Sequence, residues 1–345
     1  MTQFEHMLLE NRSTMNDNGR EIIREVRQPS EADFTHARML IARHLVPTPL
    51  VQARVPGVAC SLKLESMQPS GAFKVRGALS AMAAVPDGSR VLAVSAGNHA
   101  LGIAWASQRL GVPATVVIAE TASPAKRAKL EQLPIELIRY GQSYDEAEAH
   151  TLTLTRNAAA DSVFISAYND PLVIAGAATV LDEIIAQRES DGPLTLVVPA
   201  GGGGLLAGIV MRARLLGTPR RPISVIGVEL ESSRAMSAAL AAGRVVDVPV
   251  GESIADGLSG NIEHGSVTVD LIAGGVAEIV AVNDQEIRVA LRFLAAEHGL
   301  VAEGAGGAAL AAVLSGKIED AGGEVVAIIS GRNIALSLLA EVFAE

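Results

Sequence analysis

Lys74 stands in the stretch PSGAFKVRGA, residues 69 to 78, three positions after Gly71 and beside Phe73. Ser70 can cap a helix on which Ala72, Val75, Leu79 and Met82 recur at helical spacing, and this puts Lys74 in the first turn. A positive helix end and apolar neighbours both disfavour an ammonium and lower its pKa. A lysine amine that is neutral near pH 7 can attack a carbonyl and form a Schiff base. The same features also suit a lysine that runs its stem along the surface and keeps its charge in water.

Three further stretches set polar or glycine residues where a strand turns into a helix. In PAGGGGLLAG, Gly201 to Gly204 let backbone N–H groups converge with no Cβ in the way, at the positive end of the helix that follows. That is an anion site suited to phosphate; the competing reading is a flexible tight turn. No Lys-Ser/Thr pair follows, so it is not a P-loop, and Leu206 stands where a dinucleotide fingerprint has its third glycine. In SAGNHALG, Ser95, Ala96, Gly97, Asn98 and His99 end a strand and open a helix whose free amides can hold a carboxylate, or which Ser95 and Asn98 simply cap. In IISGRN, the Ser330 hydroxyl can satisfy a ring nitrogen or cap a helix; Glu303 and Glu229 occupy comparable turns.

The elements that position these turns follow a repeated pattern. Short β-branched runs (RVLAVSA, ATVVIA, IELIRYG, SVFISA, LTLVVPA, ISVIGVE, EVVAIIS) each meet a Gly, Pro or Ser turn, and helical patterns follow nearly all of them. This predicts an α/β fold with a mostly parallel sheet covered on both faces. In such sheets ligands bind beyond the carboxyl ends of the strands, where these turns lie.

Composition narrows the class. Hydrophobic residues make up 49% with only 3% aromatic, so the core must be built from Ala, Val, Ile and Leu. A net charge of −10 disfavours a nucleic-acid partner. The single Cys60 excludes an intrachain disulfide and a multi-cysteine metal site. No signal-peptide core opens the sequence, and its most apolar window, LTLVVPAGGGGLLAGIVM, is broken by Pro199 and glycines, so neither secretion nor a membrane span is expected. The expected location is the cytoplasm. Residues 1–28 are polar and aperiodic and are expected to be an extension.

Taken together, GAFKVRGA, SAGNHALG, GGGGLLAG, VAEGAGGAALAAVL and SGRN, in this order and spacing, resemble the serine/threonine dehydratases. These are pyridoxal 5'-phosphate enzymes of the tryptophan-synthase-β fold (fold type II), which also include serine racemases. The resemblance covers about residues 29 to 340. It implies a large cofactor-binding domain from residues 29–87 and 170–345 and a small domain from 88–169. It implies that Lys74 carries the cofactor, that Phe73 packs beside its ring and that Asn98 bonds its phenolic oxygen. Gly201, Gly202, Gly203, Gly204 and the Leu205 amide would cradle the phosphate, and Ser330 would bond the pyridine nitrogen. Asn169 and Glu303 would touch the cofactor, and Ser95, Ala96, Gly97 and His99 would line the substrate carboxylate pocket.

By the same resemblance, the reaction is β-elimination of water from a β-hydroxy amino acid, giving a 2-oxo acid and ammonia, with threonine or serine first. Dehydration of 3-hydroxyaspartate or phenylserine and racemisation of serine are the alternatives. Ala96 stands where racemases of the group carry a second serine, which argues for elimination. The family's metal site would begin at Glu229, but Ala235 replaces the acid expected six residues on, so no metal is expected. Arg332 replaces a common glycine and is expected to point to solvent; the other reading sets it against an acidic substrate side chain. The sequence runs to ALSLLAEVFAE, and the C-terminal regulatory domain of biosynthetic relatives is not expected. A homo-oligomer, dimer or tetramer, is expected. A non-catalytic nucleotide-binding protein on a Rossmann-like sheet is the reading from another class, since Glu229 follows the glycines by about 25 residues.

Overall fold

The computed structural model describes residues 26–158, 161–318 and 323–344, so most of the extension expected over 1–28 lies outside the described residues. Ten strands occur among them: β1 (Leu50–Val55), β2 (Val58–Lys63), β3 (Arg90–Val94), β4 (Ala114–Ile118), β5 (Glu136–Arg139), β6 (Ser162–Phe164), β7 (Leu194–Pro199), β8 (Ile223–Leu230), β9 (Glu278–Val282) and β10 (Glu324–Ile328). They form two sheets, one in the order β1-β2-β10-β7-β8-β9 and the other in the order β5-β4-β3-β6. Every pairing is parallel except β1 with β2, a hairpin turned at Pro56 and Gly57. The parallel α/β expectation therefore holds, with two sheets in place of one.

The strand sequences explain this arrangement. LTLVVP in β7 and ATVVI in β4 are buried at every position, as continuous apolar runs must be when helices cover both faces of a sheet. Against one face of the larger sheet lie Leu310, Ala309 and Val313 of the helix Gly304–Leu314, with Leu291 and Leu294 of the helix Asp284–His298. Against the other lie Ile174, Leu181 and Ile184 of Pro171–Gln187 and Leu206, Ile209 and Val210 of Gly204–Leu216. Each such large side chain contributes about 1.5–3 kcal/mol on burial. Val91, Ala93, Val116 and Ile118 of the smaller sheet share a core with Leu79 and Met82 of the helix Lys74–Met82 and with Ile41 of Glu31–His44.

Both sheets change direction along the chain. From β3 the order runs through β4 to β5 on one side, while β6 returns to the other side of β3. From β7 it runs through β8 to β9, while β10 returns to the far side of β7. A crevice opens beyond the carboxyl ends at each reversal. The turns at 95–99 and 165–168 lie at one, and those at 201–204 and 330–333 at the other.

The Lys74–Met82 helix is clamped between two others at backbone distance. A Cβ on Gly102 would come within 3.1 Å of the Lys74 carbonyl, and one on Gly176 within 2.5 Å of the Arg76 carbonyl oxygen. The helix starts one residue after Phe73, which has no side-chain capping bond. Ser70, expected as the cap, instead donates to the Ala72 carbonyl, because a turn at Gly71 carries it away from the first amides.

A charge cluster inside the protein anchors the same helix. Arg76 is fully buried and bonds both Glu65 oxygens at 2.7 Å and both Glu183 oxygens at 2.7 and 2.8 Å. Lys63, also buried, donates to Glu183, to Gln187 and to the Thr48 carbonyl. Burial opposes each charge here, but the Arg76 guanidinium holds the Glu65 carboxyl below its ordinary value. Removing one partner of such a group strands the other without compensation. Glu65→Gln is therefore expected to lower unfolding free energy by about 3–5 kcal/mol, read by denaturant titration; a loss below about 1 kcal/mol contradicts a buried network.

Candidate active site

Lys74 is half-buried and its Nζ donates to the Ala167 carbonyl at 2.7 Å; no acidic side chain is bonded to it. Burial alone lowers its pKa to about 8. The Phe73 ring centroid lies 5.0 Å from the amine, and the Phe73 N–H donates to the Ser330 carbonyl, so the last strand and the lysine helix are joined at this point.

The residue after Ala167 connects the lysine to the glycine turn. Tyr168 fills the space that side chains at 202 and 204 would need: a Cβ on Gly202 would meet its ring at 2.5 Å. Gly203 adopts φ +89°, a conformation costly for other residues, and precedes the helix Gly204–Leu216. The first-turn amides of that helix have no intrahelical acceptor. Gly201 and Gly202 remain partly open while Gly203, Gly204 and Leu205 are buried. Thr268 donates to the Gly202 carbonyl and pins the turn from outside.

Across the crevice, Ser95, Ala96, Gly97 and Asn98 form a partly open turn, with Ser95 Oγ accepting from the Gly97 N–H. A Cβ on Gly97 would meet nothing within 4 Å. His99 points inward: its Nε2 bonds the Ile165 carbonyl, its Nδ1 is buried without a partner, and burial takes its pKa down to about 3, with Lys74 acting in the same direction. The ring is neutral, with the proton on Nε2, since a carbonyl only accepts. Asn98 Nδ2 donates to Glu303 at 2.5 Å. Burial raises the Glu303 pKa to about 7 against the opposing pull of Asn98. Ser330 is buried and its hydroxyl donates to the Ala305 carbonyl at 3.3 Å.

Lys74, Phe73, Ser95 to His99, Gly201 to Leu205, Glu303 and Ser330 thus gather around one crevice. Asn169 is fully buried at its edge, with its amide between Glu263 and the Val267 N–H. Glu229 lies apart, receiving bonds from Arg234, the Ser237 hydroxyl and the Ser237 N–H. It caps the following helix, and no group of potential metal ligands occurs among the described residues. Arg332 is exposed; its guanidinium bonds the Ser66 carbonyl and its N–H the Gly71 carbonyl. Sequence reasoning passes over Tyr168, Asn333 and Lys129. Of these only Tyr168 carries a signal, as an aromatic residue directly after a strand-ending turn.

The donor set suits a phosphorylated aldehyde. A lysine with no acid partner is free to become neutral, open amides lead into a helix N-terminus, and the neutral Ser330 hydroxyl, held by the Ala305 carbonyl, follows the last strand. Two mostly parallel sheets with a crevice of this kind are the architecture of an enzyme that holds a phosphorylated coenzyme. The model of the pyridoxal-phosphate dependent enzymes matches residues 41–331. An L-threonine ammonia-lyase of Thermotoga maritima is 38% identical over 292 residues, covering 84% of this chain and 71% of that protein. The catabolic L-threonine dehydratase of Escherichia coli K12 is 32% identical over 319 residues, covering 90% and 94%. The solved structure of the processed form of threonine deaminase isoform 2 from Solanum lycopersicum superposes with a TM-score of 0.80 at 29% identity, covering 93% of this chain and 90% of that one. This chain belongs to the pyridoxal-phosphate dependent enzyme family, and its architecture is that of fold type II.

Two outcomes test the site. Reductive modification of the cofactor-free protein at a series of pH values, read by peptide mass spectrometry, is expected to give Lys74 a midpoint near 8, well below the ordinary 10.5. The reactive amine grows as pH rises through that value, and a midpoint above 10 contradicts the site. Gly202→Ala is expected to cost about 1–3 kcal/mol through collision with Tyr168, seen as weaker coenzyme uptake in a fluorescence titration; unchanged uptake argues against the cradle.

Proposed function

We propose that the protein is an L-threonine/L-serine ammonia-lyase, removing water from a β-hydroxy amino acid to give a 2-oxo acid and ammonia. The observation that carries this reading is the Lys74 amine, without a bonded counter-charge and joined to the Ala167 carbonyl next to Tyr168, which packs against the glycine turn. The names and likeness of the Thermotoga and Escherichia relatives supply the substrate class.

Pyridoxal phosphate, when bound, supplies an electrophilic aldehyde and a ring that takes up negative charge from the substrate Cα. Lys74 would hold that aldehyde, and its amine, lowered by burial to a pKa of about 8, is the group that would take the Cα proton as a base. The amides of Gly201 to Leu205 neutralise the phosphate at a helix N-terminus. Phe73 would pack beside the ring, Asn98 would donate to its phenolic oxygen with Glu303 bonded behind it, and Asn169 would touch the coenzyme. Ser330 would turn its hydroxyl, bonded here to the Ala305 carbonyl, toward the pyridine nitrogen, as a neutral partner with no charge to hold a proton there. Ser95, Gly97 and the first amides of the Asn98 helix receive the substrate carboxylate. Ala96 has no hydroxyl to return a proton from the opposite face, which favours elimination over racemisation.

The reading includes a large lobe from residues 29–87 and 170–345 and a small lobe from 88–169, with the Lys74 helix packed against both. It also includes a cytoplasmic homo-oligomer whose partner in catalysis is a small amino acid, with no nucleic acid and no membrane. Among the described residues no helix is long and apolar enough to cross a membrane.

The test is ammonia release over L-threonine, L-serine, D-serine, 3-hydroxyaspartate and phenylserine. L-threonine or L-serine is expected to lead, and Lys74→Ala to lower the rate by about 10³-fold or more. Borohydride treatment should place the coenzyme on the peptide bearing Lys74. Label on another lysine, or ammonia release undiminished in Lys74→Ala, overturns the proposal.

A further inference from the structure

The Ser330–Asn333 turn ends in an asparagine that the reaction above leaves without a role. Asn333 Nδ2 donates to the Ser70 carbonyl at 3.0 Å and to Asn98 Oδ1 at 2.7 Å, while its Oδ1 accepts from Lys129 Nζ at 2.7 Å. A carbonyl only accepts and an ammonium only donates. The Asn333 amide therefore has one orientation, fixed at both ends by groups that cannot reverse. Its second N–H needs an acceptor at Asn98, so the Asn98 oxygen faces Asn333 and the Asn98 NH₂ faces Glu303 and the crevice. Every donor in the series from Lys129 through Asn333 and Asn98 to Glu303 points the same way. Gly71, at φ +80°, makes room for this arrangement: a Cβ there would lie 2.8 Å from Asn333 Oδ1 and 2.9 Å from its Nδ2.

Lys129 belongs to the helix Pro124–Leu130, which follows β4 of the smaller sheet, whereas Asn333 follows β10 of the larger one. One turn earlier, Lys126 pairs with Asp256. The helix thus spans the crevice, and only Lys129 of its two lysines engages the amide series.

We propose that Asn333 is a positioning residue that sets which face of the Asn98 amide meets the coenzyme, and that Lys129 makes this setting depend on its helix lying across the crevice. The inference rests on the reading above, in which Asn98 donates to the coenzyme's phenolic oxygen. An acceptor oxygen requires the NH₂ face; a reversed Asn98 would oppose it with a lone pair.

Asn333→Asp keeps the shape but replaces the donor by an acceptor, so Asn98 must turn over. Asn333→Ala removes the donor without adding charge, and the exposed Lys129→Met removes only the outer end. Each holoprotein, free of substrate, is compared with the native one by the pH titration of its visible absorption band and by coenzyme affinity. Asn333→Asp and Asn333→Ala are expected to weaken coenzyme binding about tenfold through loss of one hydrogen bond to a charged acceptor. They should also move the midpoint of the absorption titration by about one pH unit. Lys129→Met should move it in the same direction by less, and Lys126→Met should leave it in place. Midpoints and affinities in both Asn333 variants within about twofold of native overturn the proposal. So does an equal effect of Lys126→Met and Lys129→Met, which would trace the change to helix docking in general. A native protein that takes up no coenzyme overturns the functional reading as well; native uptake with unchanged Asn333 variants overturns this inference alone.

Discussion

Two cationic side chains two positions apart on one helix have opposite surroundings, and the site depends on that contrast. Arg76 bonds two glutamates and is held firmly charged, above its ordinary value even against burial. Lys63 shares the same acids. Glu65 and Glu183 are committed to them and Glu303 to Asn98, and the Lys74 amine donates to a carbonyl. A buried ammonium without a counter-ion is costly, and the amine responds by giving up its proton near neutrality. The arginine cluster fixes the helix in place, and the lysine projects from it into the crevice. Exchanging those environments would give a charged lysine and a helix without its anchor.

Topology then supplies the rest of the site with little help from individual side chains. Each sheet reverses its strand order once, and each reversal leaves a gap between neighbouring helices beyond the strand ends. The two gaps meet around Lys74. At one of them, segment 165–168 offers carbonyls to His99 and to Lys74 and then sends Tyr168 against the glycine turn. At the other, the backbone of Ser330 and Gly331 pairs with Phe73 and Ala72. Backbone groups make most of these joins, so the frame persists whatever side chains line the substrate pocket.

This explains which features are legible in the sequence. Parallel strands such as LTLVVP announce themselves as unbroken apolar runs, and their turns carry the glycines and polar residues that ligands need. The hairpin LVQARVPGVACSLK does not stand out as strands, because its first strand lies at a sheet edge and mixes exposed with buried positions. EIVAV in β9, also at an edge, escapes notice for the same reason. Lysine and arginine in FKVRGA look alike in sequence. Only the fold reveals that Glu65 and Glu183, 11 and 107 positions from Arg76, converge on one and leave the other alone. Asn98 and Asn333 are 235 positions apart, and no local pattern could pair them.

Near-neutrality unites the groups closest to the proposed chemistry. Lys74 titrates near 8, Glu303 near 7, His99 stays unprotonated to about 3, and Ser330 carries no charge at all. A carboxylate in place of Ser330 would hold a proton on a ring nitrogen bound beside it, and a serine hydroxyl would not. In this reading, the enzyme selects elimination less by a dedicated acid than by leaving every alternative resting place for charge poorly stabilised. The Glu303 carboxyl fits the same proposed design: burial raises its pKa to about 7, beside the Asn98 amide that would meet the phenolic oxygen, so that it need not present a full negative charge there.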